Sequence, residues 1–240
     1  AIHDASHMWA LGWRNCIHWK HHRKASCDNR GMAKGSTSAA SGQAANEGGL
    51  SHVLVCGGTL QEWRQASVGE WKLQLDTFVD SVHESGARWL TVCPYAGPGG
   101  FEDEIAAIVL DACGGQRNGN RISFIAKDGL VVVVDLCADG RERFTNALNQ
   151  IKGESATDRQ VKEISEENLR AAMLPPGFVD PDLILIFGSP TQIPPSLMWE
   201  LSYSELVFLD VSWRKCNVDH VQMAINDFQR RDRRFGGVDS

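Results

Sequence analysis

A chain of 240 residues, 42% of them hydrophobic, is long enough to form one domain with a sizeable core. Its formal net charge of -6 argues against a nucleic-acid partner, because proteins of that class present basic surfaces to the phosphates. No run of about 18 apolar residues occurs, so no membrane span is expected within these residues.

The cysteines and histidines predict no metal site in this chain. The seven cysteines include no Cys-x-x-Cys pair, and an odd number in a chain of this length is typical of reduced thiols. His18, His21 and His22 lie close together in the sequence, but no second cluster of ligands supports a metal there.

Residues 1–30 form a basic segment rich in tryptophan. Trp9, Trp13 and Ile17 recur every four residues, so a helix would carry them on one face. Tryptophan beside lysine and arginine is typical of a helix that lies on a membrane surface. The same face would also suit a helix packed on its own domain, and the sequence leaves both interpretations open.

Residues 31–49 are rich in glycine, serine and alanine and contain almost no large apolar side chain. This composition predicts a flexible linker. The folded domain is therefore expected to cover residues 50–240.

Within that domain, short apolar runs alternate with helical patterns. In chain order we predict strands at 52–56, 89–93, 122–126, 130–136, 183–187 and 207–209, and helices at 71–82, 101–112, 143–151, 161–173, 195–203 and 218–228. Strands that alternate with helices predict a single α/β domain with a mostly parallel central sheet flanked by helices.

In such a fold, ligands bind at the carboxyl ends of the strands. The first strand is followed by Gly57 and Gly58, and two glycines in this place can let a phosphate approach backbone N–H groups. The segment matches neither a Walker loop nor a Gly-x-Gly-x-x-Gly fingerprint. A plain tight turn is the alternative interpretation.

Three blocks near the end of the chain carry a family resemblance. Residues 182–188, 197–206 and 233–237 resemble, in order and spacing, the C-terminal third of the undecaprenyl diphosphate synthase family, the cis-prenyltransferases. Residues 52–55 are similar to the family's opening strand, and residues 140–141 to its central Gly-Arg. The resemblance implies a cis-prenyltransferase-like fold and, for catalytic members, magnesium-dependent elongation of an allylic diphosphate with isopentenyl diphosphate.

The charged residues that the resemblance assigns to catalysis are missing from this chain. Gly57 stands at the position of the magnesium-binding Asp, with one extra residue after it, and Ile186 and Gln192 stand where catalytic members carry Arg. Glu62 could replace the Asp, but it lies five residues further on and is expected on another surface. We therefore predict no catalytic residues and no metal ligands of the chain's own.

Residues 180–188 resemble the accessory branch of the family, the Nogo-B receptor type. That resemblance implies a non-catalytic subunit at the cytosolic face of the endoplasmic reticulum membrane, which activates a catalytic partner that holds Mg²⁺. The complex would make the polyprenyl diphosphate needed for dolichol and protein glycosylation. The isolated chain could also form a homodimer. Residues 199–208 depart from that branch and look more like the bacterial enzymes. A divergent self-sufficient enzyme and a binding or receptor protein that kept the fold are the alternatives.

The resemblance also implies roles for individual residues. Arg234 and Gly236 lie in a tail that, in the family, crosses the dimer interface and completes the partner's isopentenyl diphosphate site. A solvated basic tail is the simpler interpretation of the same residues. The expected dimer-interface residues are Trp199, Tyr203, Glu205 and Phe208.

Overall fold

A computed structural model describes residues 50–158, 164–175, 179–188, 192–202 and 204–230. For residues 154–158 it describes the backbone alone. The predicted membrane-surface helix and linker therefore lie outside the described residues. The same holds for Tyr203, Arg234 and Gly236, whose predicted roles stay predictions.

Seven strands form one sheet in the order β3-β4-β5-β2-β1-β6-β7. Their bounds are β1 His52–Gly57, β2 Trp89–Cys93, β3 Gln116–Asn118, β4 Arg121–Ile125, β5 Val131–Asp135, β6 Leu183–Phe187 and β7 Glu205–Leu209. The five strands from β5 to β7 pair in parallel, and β3 and β4 add an antiparallel edge. The predicted class, a mostly parallel sheet flanked by helices, is confirmed.

Six α-helices lie in the described part of the chain, and the last of them follows strand β7. They are α1 Leu60–Gln65, α2 Val68–Glu84, α3 Glu102–Cys113, α4 Gly140–Asp158, α5 Glu166–Met173 and α6 Val218–Arg230. Capping boxes start α1 and α2, in which Thr59 and Ser67 pair with a glutamate three residues later. Of the helices in these ranges, none is both long and apolar enough to cross a bilayer.

The two faces of the sheet bury different clusters, because successive side chains of a strand point to opposite faces. Val53 and Val55 of β1 belong to the large cluster that includes residues of α2, α3 and α6. Leu54 and Cys56 belong to a smaller cluster with Ile184, Ile186 and Leu197. Partly exposed apolar side chains border this second cluster: Tyr95, Leu201, Leu206 and Phe208.

Several predicted boundaries are wrong. The helix predicted at 195–203 is absent: residues 195–199 form turns, and a short 3₁₀ helix covers Glu200–Ser202. The helix predicted from residue 161 begins at Glu166, after the Ser165 cap. Helix α1 and strand β3 were not predicted, because α1 is only six residues long and β3 has the polar sequence Gln-Arg-Asn.

Candidate functional site

Strands β1, β2 and β6 end side by side at one edge of the sheet. Cys56 is in register with Cys93, and Gly57 with Phe187. This is the edge at which open α/β sheets bind ligands. It is also where the family resemblance places the magnesium-binding carboxylate.

The backbone at this edge leaves no room for a side chain. A Cβ atom on Gly57 would lie 2.9 Å from Cβ of Phe187 and 3.0 Å from Cβ of Trp213. A Cβ atom on Gly58 would lie 2.5 Å from Nε1 of Trp213, and Gly58 has a φ of +70°. The separations of 2.9 Å at Gly57 and 2.5 Å at Gly58 are shorter than real Cβ contacts, and 3.0 Å is tighter than most, so a side chain at either position requires its neighbours to shift.

Three buried indole rings pack together beside these two glycines. The ring centroids of Trp63 and Trp71 are 4.9 Å apart, those of Trp71 and Trp213 are 5.0 Å apart, and those of Trp63 and Trp213 are 5.8 Å apart. Trp63 Nε1 donates a 2.9 Å hydrogen bond to the carbonyl oxygen of Gly57. Gly57 is therefore buried beside these rings, whereas Gly58 and Thr59 are partly exposed.

Glu62, the carboxylate that could have replaced the missing Asp, has another role. Its Oε2 atom accepts hydrogen bonds from Thr59 N at 2.7 Å and from Thr59 Oγ1 at 3.2 Å, which completes the capping box of α1. Across the described residues, no three His, Cys, Asp or Glu side chains are grouped to hold a metal ion. Magnesium usually binds through one or two carboxylates together with substrate phosphates and water, and the Glu62 carboxylate is already engaged in the cap of α1.

The two positions at which the resemblance expects Arg offer no charge to a diphosphate. Ile186 is fully buried and packs in the cluster with Leu54, Cys56 and Leu197. Gln192 is exposed, and its carbonyl oxygen accepts a 3.0 Å hydrogen bond from Tyr95 Oη.

The charged groups that do lie close to this edge form a buried network. Arg143, in the first turn of α4, donates to Glu200 Oε1 at 2.5 Å and to the Ser196 carbonyl at 2.9 Å. Its Nη1 atom lies 3.7 Å from Asp135 Oδ2, and Arg121 Nε donates to the same oxygen at 3.0 Å. Each carboxylate is therefore already paired with an arginine within the chain.

Burial and pairing act in opposite directions on these groups. Burial alone would raise the pKa of Asp135, but Arg121 and Arg143 hold that pKa below its usual value. Burial raises the pKa of Glu200, and Arg143 offsets only part of that effect. Burial would lower the pKa of Arg143, yet Glu200 and Asp135 raise it, so the guanidinium stays charged.

Sequence reasoning missed this network. Arg143 and Glu200 are 57 positions apart, and no motif joins them. Glu200 lies between Trp199 and Leu201, but Arg143 follows Glu142, so no local pattern marks the two as a buried ion pair.

The described members of the predicted interface are partly exposed and lie at different ends of the strands: Phe208 is in register with Ile186 and Cys56, next to Gly57, whereas Glu205 is not. Trp199, Glu205 and Phe208 are each half-buried. Glu205 begins β7 in register with Leu183 and hence with Val53, four positions before Gly57. Four strand residues span about 13 Å, so within one chain Glu205 lies at the opposite end of the strands.

Sequence comparisons find relatives of one kind. Residues 118–236 match the family described as "Putative undecaprenyl diphosphate synthase". Isoprenyl transferase 2 of Bradyrhizobium diazoefficiens is 29% identical over 203 residues, which cover 82% of this chain and 76% of that protein. The isoprenyl transferase of Bacillus anthracis is 32% identical over 111 residues, which cover 46% of this chain and 43% of that protein. The chain thus spans less than half the length of its Bacillus relatives.

Solved structures share the fold. A probable undecaprenyl diphosphate synthase from Campylobacter jejuni superposes with a TM-score of 0.51 at 16% identity, over 78% of this chain and 98% of that one. Lavandulyl diphosphate synthase from Lavandula x intermedia gives a TM-score of 0.54 at 15% identity, over 80% of this chain and 100% of that one. These structures share the fold, and the sequence matches show that the chain is similar to the undecaprenyl diphosphate synthase family, the cis-prenyltransferases, over residues 118–236.

Proposed function

We propose that this chain is a non-catalytic, activating subunit of a heteromeric cis-prenyltransferase. The observation that carries the proposal is the packing at Gly57 and Gly58, where Phe187 and Trp213 leave no space for the carboxylate that would hold magnesium. The relatives are named as isoprenyl transferases, so the proposal depends on residues of this chain rather than on theirs.

This chain lacks the charged side chains that would stabilise a diphosphate leaving group. A diphosphate leaving group carries several negative charges, and stabilising them is usually the largest contribution to catalysis of this kind. Arginine binds phosphate with a two-pronged pair of N–H donors, whereas Ile186 and Gln192 have no charge. The nearby Arg143 is buried and forms an ion pair with Glu200.

A catalytic partner of the same family would supply the missing groups, including the Mg²⁺ site. The accessory branch that residues 180–188 resemble implies synthesis of a long-chain polyprenyl diphosphate for dolichol, at the endoplasmic reticulum membrane. Residues 1–30 would then lie on the membrane surface. These assignments are part of the proposal and depend on the resemblance.

The isolated chain is expected to show no prenyltransferase activity, and to raise the activity of a catalytic homologue encoded in the same genome. Each protein and their mixture would be incubated with farnesyl diphosphate, labelled isopentenyl diphosphate and magnesium. Turnover by the isolated chain that a mutation in this chain abolishes would show a self-sufficient enzyme instead. A chain that neither turns over nor activates any homologue would support a binding protein that kept the fold.

The tail is expected to matter for activity more than for assembly. Removing residues 233–240, or the Arg234→Ala substitution, should reduce the activity of the complex about ten- to a hundredfold, because a charge-assisted contact to diphosphate contributes about 1.5–3 kcal/mol. The loss should appear in the kinetics of isopentenyl diphosphate rather than of the allylic substrate. The buried face of α6 ends at Phe228, so the core does not need the tail.

Arg231→Ala is the matched control, because Arg231 lies in the same basic run but outside residues 234–236. This variant should change the isopentenyl diphosphate kinetics little. Unchanged isopentenyl diphosphate kinetics in the tail-deleted complex would contradict a shared site and favour a purely scaffolding subunit.

A further inference from the structure

Two buried cysteines lie side by side where strands β1 and β2 end. Cys56 and Cys93 are Cα partners in the parallel ladder, and both belong to the smaller cluster on one face of the sheet. Neighbouring strands lie about 4.8 Å apart, and a disulfide spans about 4.4–6.8 Å between its Cα atoms. Among the cysteines that the structure describes, no other two are partners in the sheet. The backbone therefore holds this pair at a separation that a disulfide can bridge.

The surroundings of the pair favour the reduced form at rest. A hydrogen bond with Cys56 and burial raise the pKa of the Cys93 thiol well above its usual value, although the Arg143 guanidinium acts in the opposite direction. The thiolate is the reactive form, so oxidation is slow while the sheet stays closed. A separation of about 4.8 Å is also shorter than the usual 5.5–6 Å between the Cα atoms of a disulfide, so the bond would be strained and easily reduced. These features are typical of a pair that is oxidised only transiently.

The Cys56 thiol also contacts residues 192–202. Its Sγ atom donates to the Pro94 carbonyl oxygen at 3.6 Å and lies 3.7 Å from Ser196 Oγ. Ser196 is fully buried, and its carbonyl oxygen accepts a 2.9 Å hydrogen bond from Arg143 Nη2. A disulfide sulfur carries no proton, so oxidation removes the hydrogen bond to Pro94 and leaves Ser196 Oγ beside an atom that can at most accept weakly. Oxidation of the pair would therefore weaken the attachment of residues 192–202 to the sheet.

We propose that Cys56 and Cys93 form a reversible disulfide in the folded chain, with hydrogen peroxide as the oxidant, and that its formation loosens residues 192–202. One thiolate attacks a peroxide oxygen: an S–O bond forms, the O–O bond breaks, and the hydroxide that leaves takes up a proton to give water. The second thiolate attacks the sulfur of the resulting sulfenic acid, so that the S–S bond forms, the S–O bond breaks and a second water leaves. Two thiols thus lose two electrons to one peroxide. The disulfide would form whether or not the chain activates a catalytic partner.

The test treats the full chain with hydrogen peroxide, blocks the remaining thiols with iodoacetamide and maps linked peptides by mass spectrometry without reduction. Cys113 shares a tryptic peptide with Cys93, because no lysine or arginine occurs in residues 89–116. Cys113→Ala removes this ambiguity and is the matched control, since Cys113 is partly buried but lies at the end of α3. Cys93→Ala removes one member of the pair. Hydrogen exchange of residues 192–202 would be measured in the reduced chain, in the oxidised chain and after dithiothreitol.

A link between Cys56 and Cys93 is expected in the wild type and in Cys113→Ala, with a yield about tenfold or more above that of any other link, because the fold holds the two sulfur atoms together. Exchange in residues 192–202 should become faster on oxidation and return to its first rate after dithiothreitol. In Cys93→Ala, peroxide should leave that exchange unchanged. A link that forms only after unfolding in urea would overturn the proposed disulfide. An oxidised chain whose exchange matches that of the reduced chain would overturn its effect on residues 192–202.

Discussion

Gly57→Asp, the substitution that restores the family's acidic residue, is expected to destabilise the fold by about 3–5 kcal/mol and to produce no magnesium-dependent activity. The new Cβ atom would lie within 3.0 Å of Phe187 and Trp213, two side chains that are themselves buried in the core. Gly57 is itself buried, so desolvation of the new carboxylate adds to the cost. Urea unfolding measures the free energy of unfolding. Incubation with farnesyl diphosphate, labelled isopentenyl diphosphate and magnesium measures the activity.

Two other variants separate the causes of this effect. Gly57→Ala adds the Cβ atom without the charge and should show the overpacking cost alone, about 1–3 kcal/mol. Gly69→Asp is the matched control, because Gly69 lies in the first turn of α2 with nothing within 4 Å of its Cβ position. There an acidic side chain faces the positive end of the helix, so stability should stay within about 1 kcal/mol. A Gly57→Asp variant as stable as Gly69→Asp, with magnesium-dependent turnover, would contradict the claim that Phe187 and Trp213 exclude a working carboxylate at this position.

The parts of the fold that sequence predicts well are those for which local pattern suffices. The strands predicted at 89–93 and 183–187 have the bounds that the structure shows, since both are continuous apolar runs. The run at 122–126 was predicted as a strand, but its antiparallel direction depends on the short connection through Gly129 and could not be read from hydrophobicity. Residues 195–203 have the composition of a helix, yet the hydrogen bonds from Gly140 and Arg143 to this segment favour turns.

The candidate site shows a similar division. The loss of charge at Gly57, Ile186 and Gln192 is visible in the sequence once the family resemblance is recognised. That Trp213 and Phe187 close the space around Gly57 is not visible, because these residues are far apart in the chain. Arg143 and Glu200 were missed for the same reason. Contacts between distant residues depend on the order of the strands, which no local pattern determines.

A second large effect is expected at the opposite end of the sheet, where His52 begins β1. The ring is almost fully buried, and its Nδ1 atom lies 2.7 Å from the Val179 carbonyl. A carbonyl oxygen only accepts, so Nδ1 carries the proton in the neutral ring, and Nε2 accepts from Thr91 Oγ1 at 2.9 Å. The backbone N–H groups of Ser51 and His52 donate to Asp182. His52 thus joins β1 to β2 and to the chain before β6.

Burial lowers the pKa of His52 from 6.5 to about 4, although the Val179 carbonyl and the carboxylates of Asp182 and Asp180 oppose the shift. Above pH 6.5 the ring is neutral in both the folded and the unfolded chain, and folding gains its full stability. As the pH falls from 6.5 towards 4, only the unfolded chain takes up a proton. Stability is therefore lost across that window, by about 3 kcal/mol in total.

Urea unfolding of the wild type and of His52→Gln at pH values between 7.5 and 4 isolates this contribution. Glutamine does not titrate, so acid should weaken the variant less than the wild type, and the difference between them should grow by about 3 kcal/mol as the pH falls from 6.5 to 4. Asp135 is present in both proteins, and the stability that its lowered pKa contributes is lost only at more acidic pH. Two parallel pH profiles would show that the buried ring does not control the acid sensitivity of this fold.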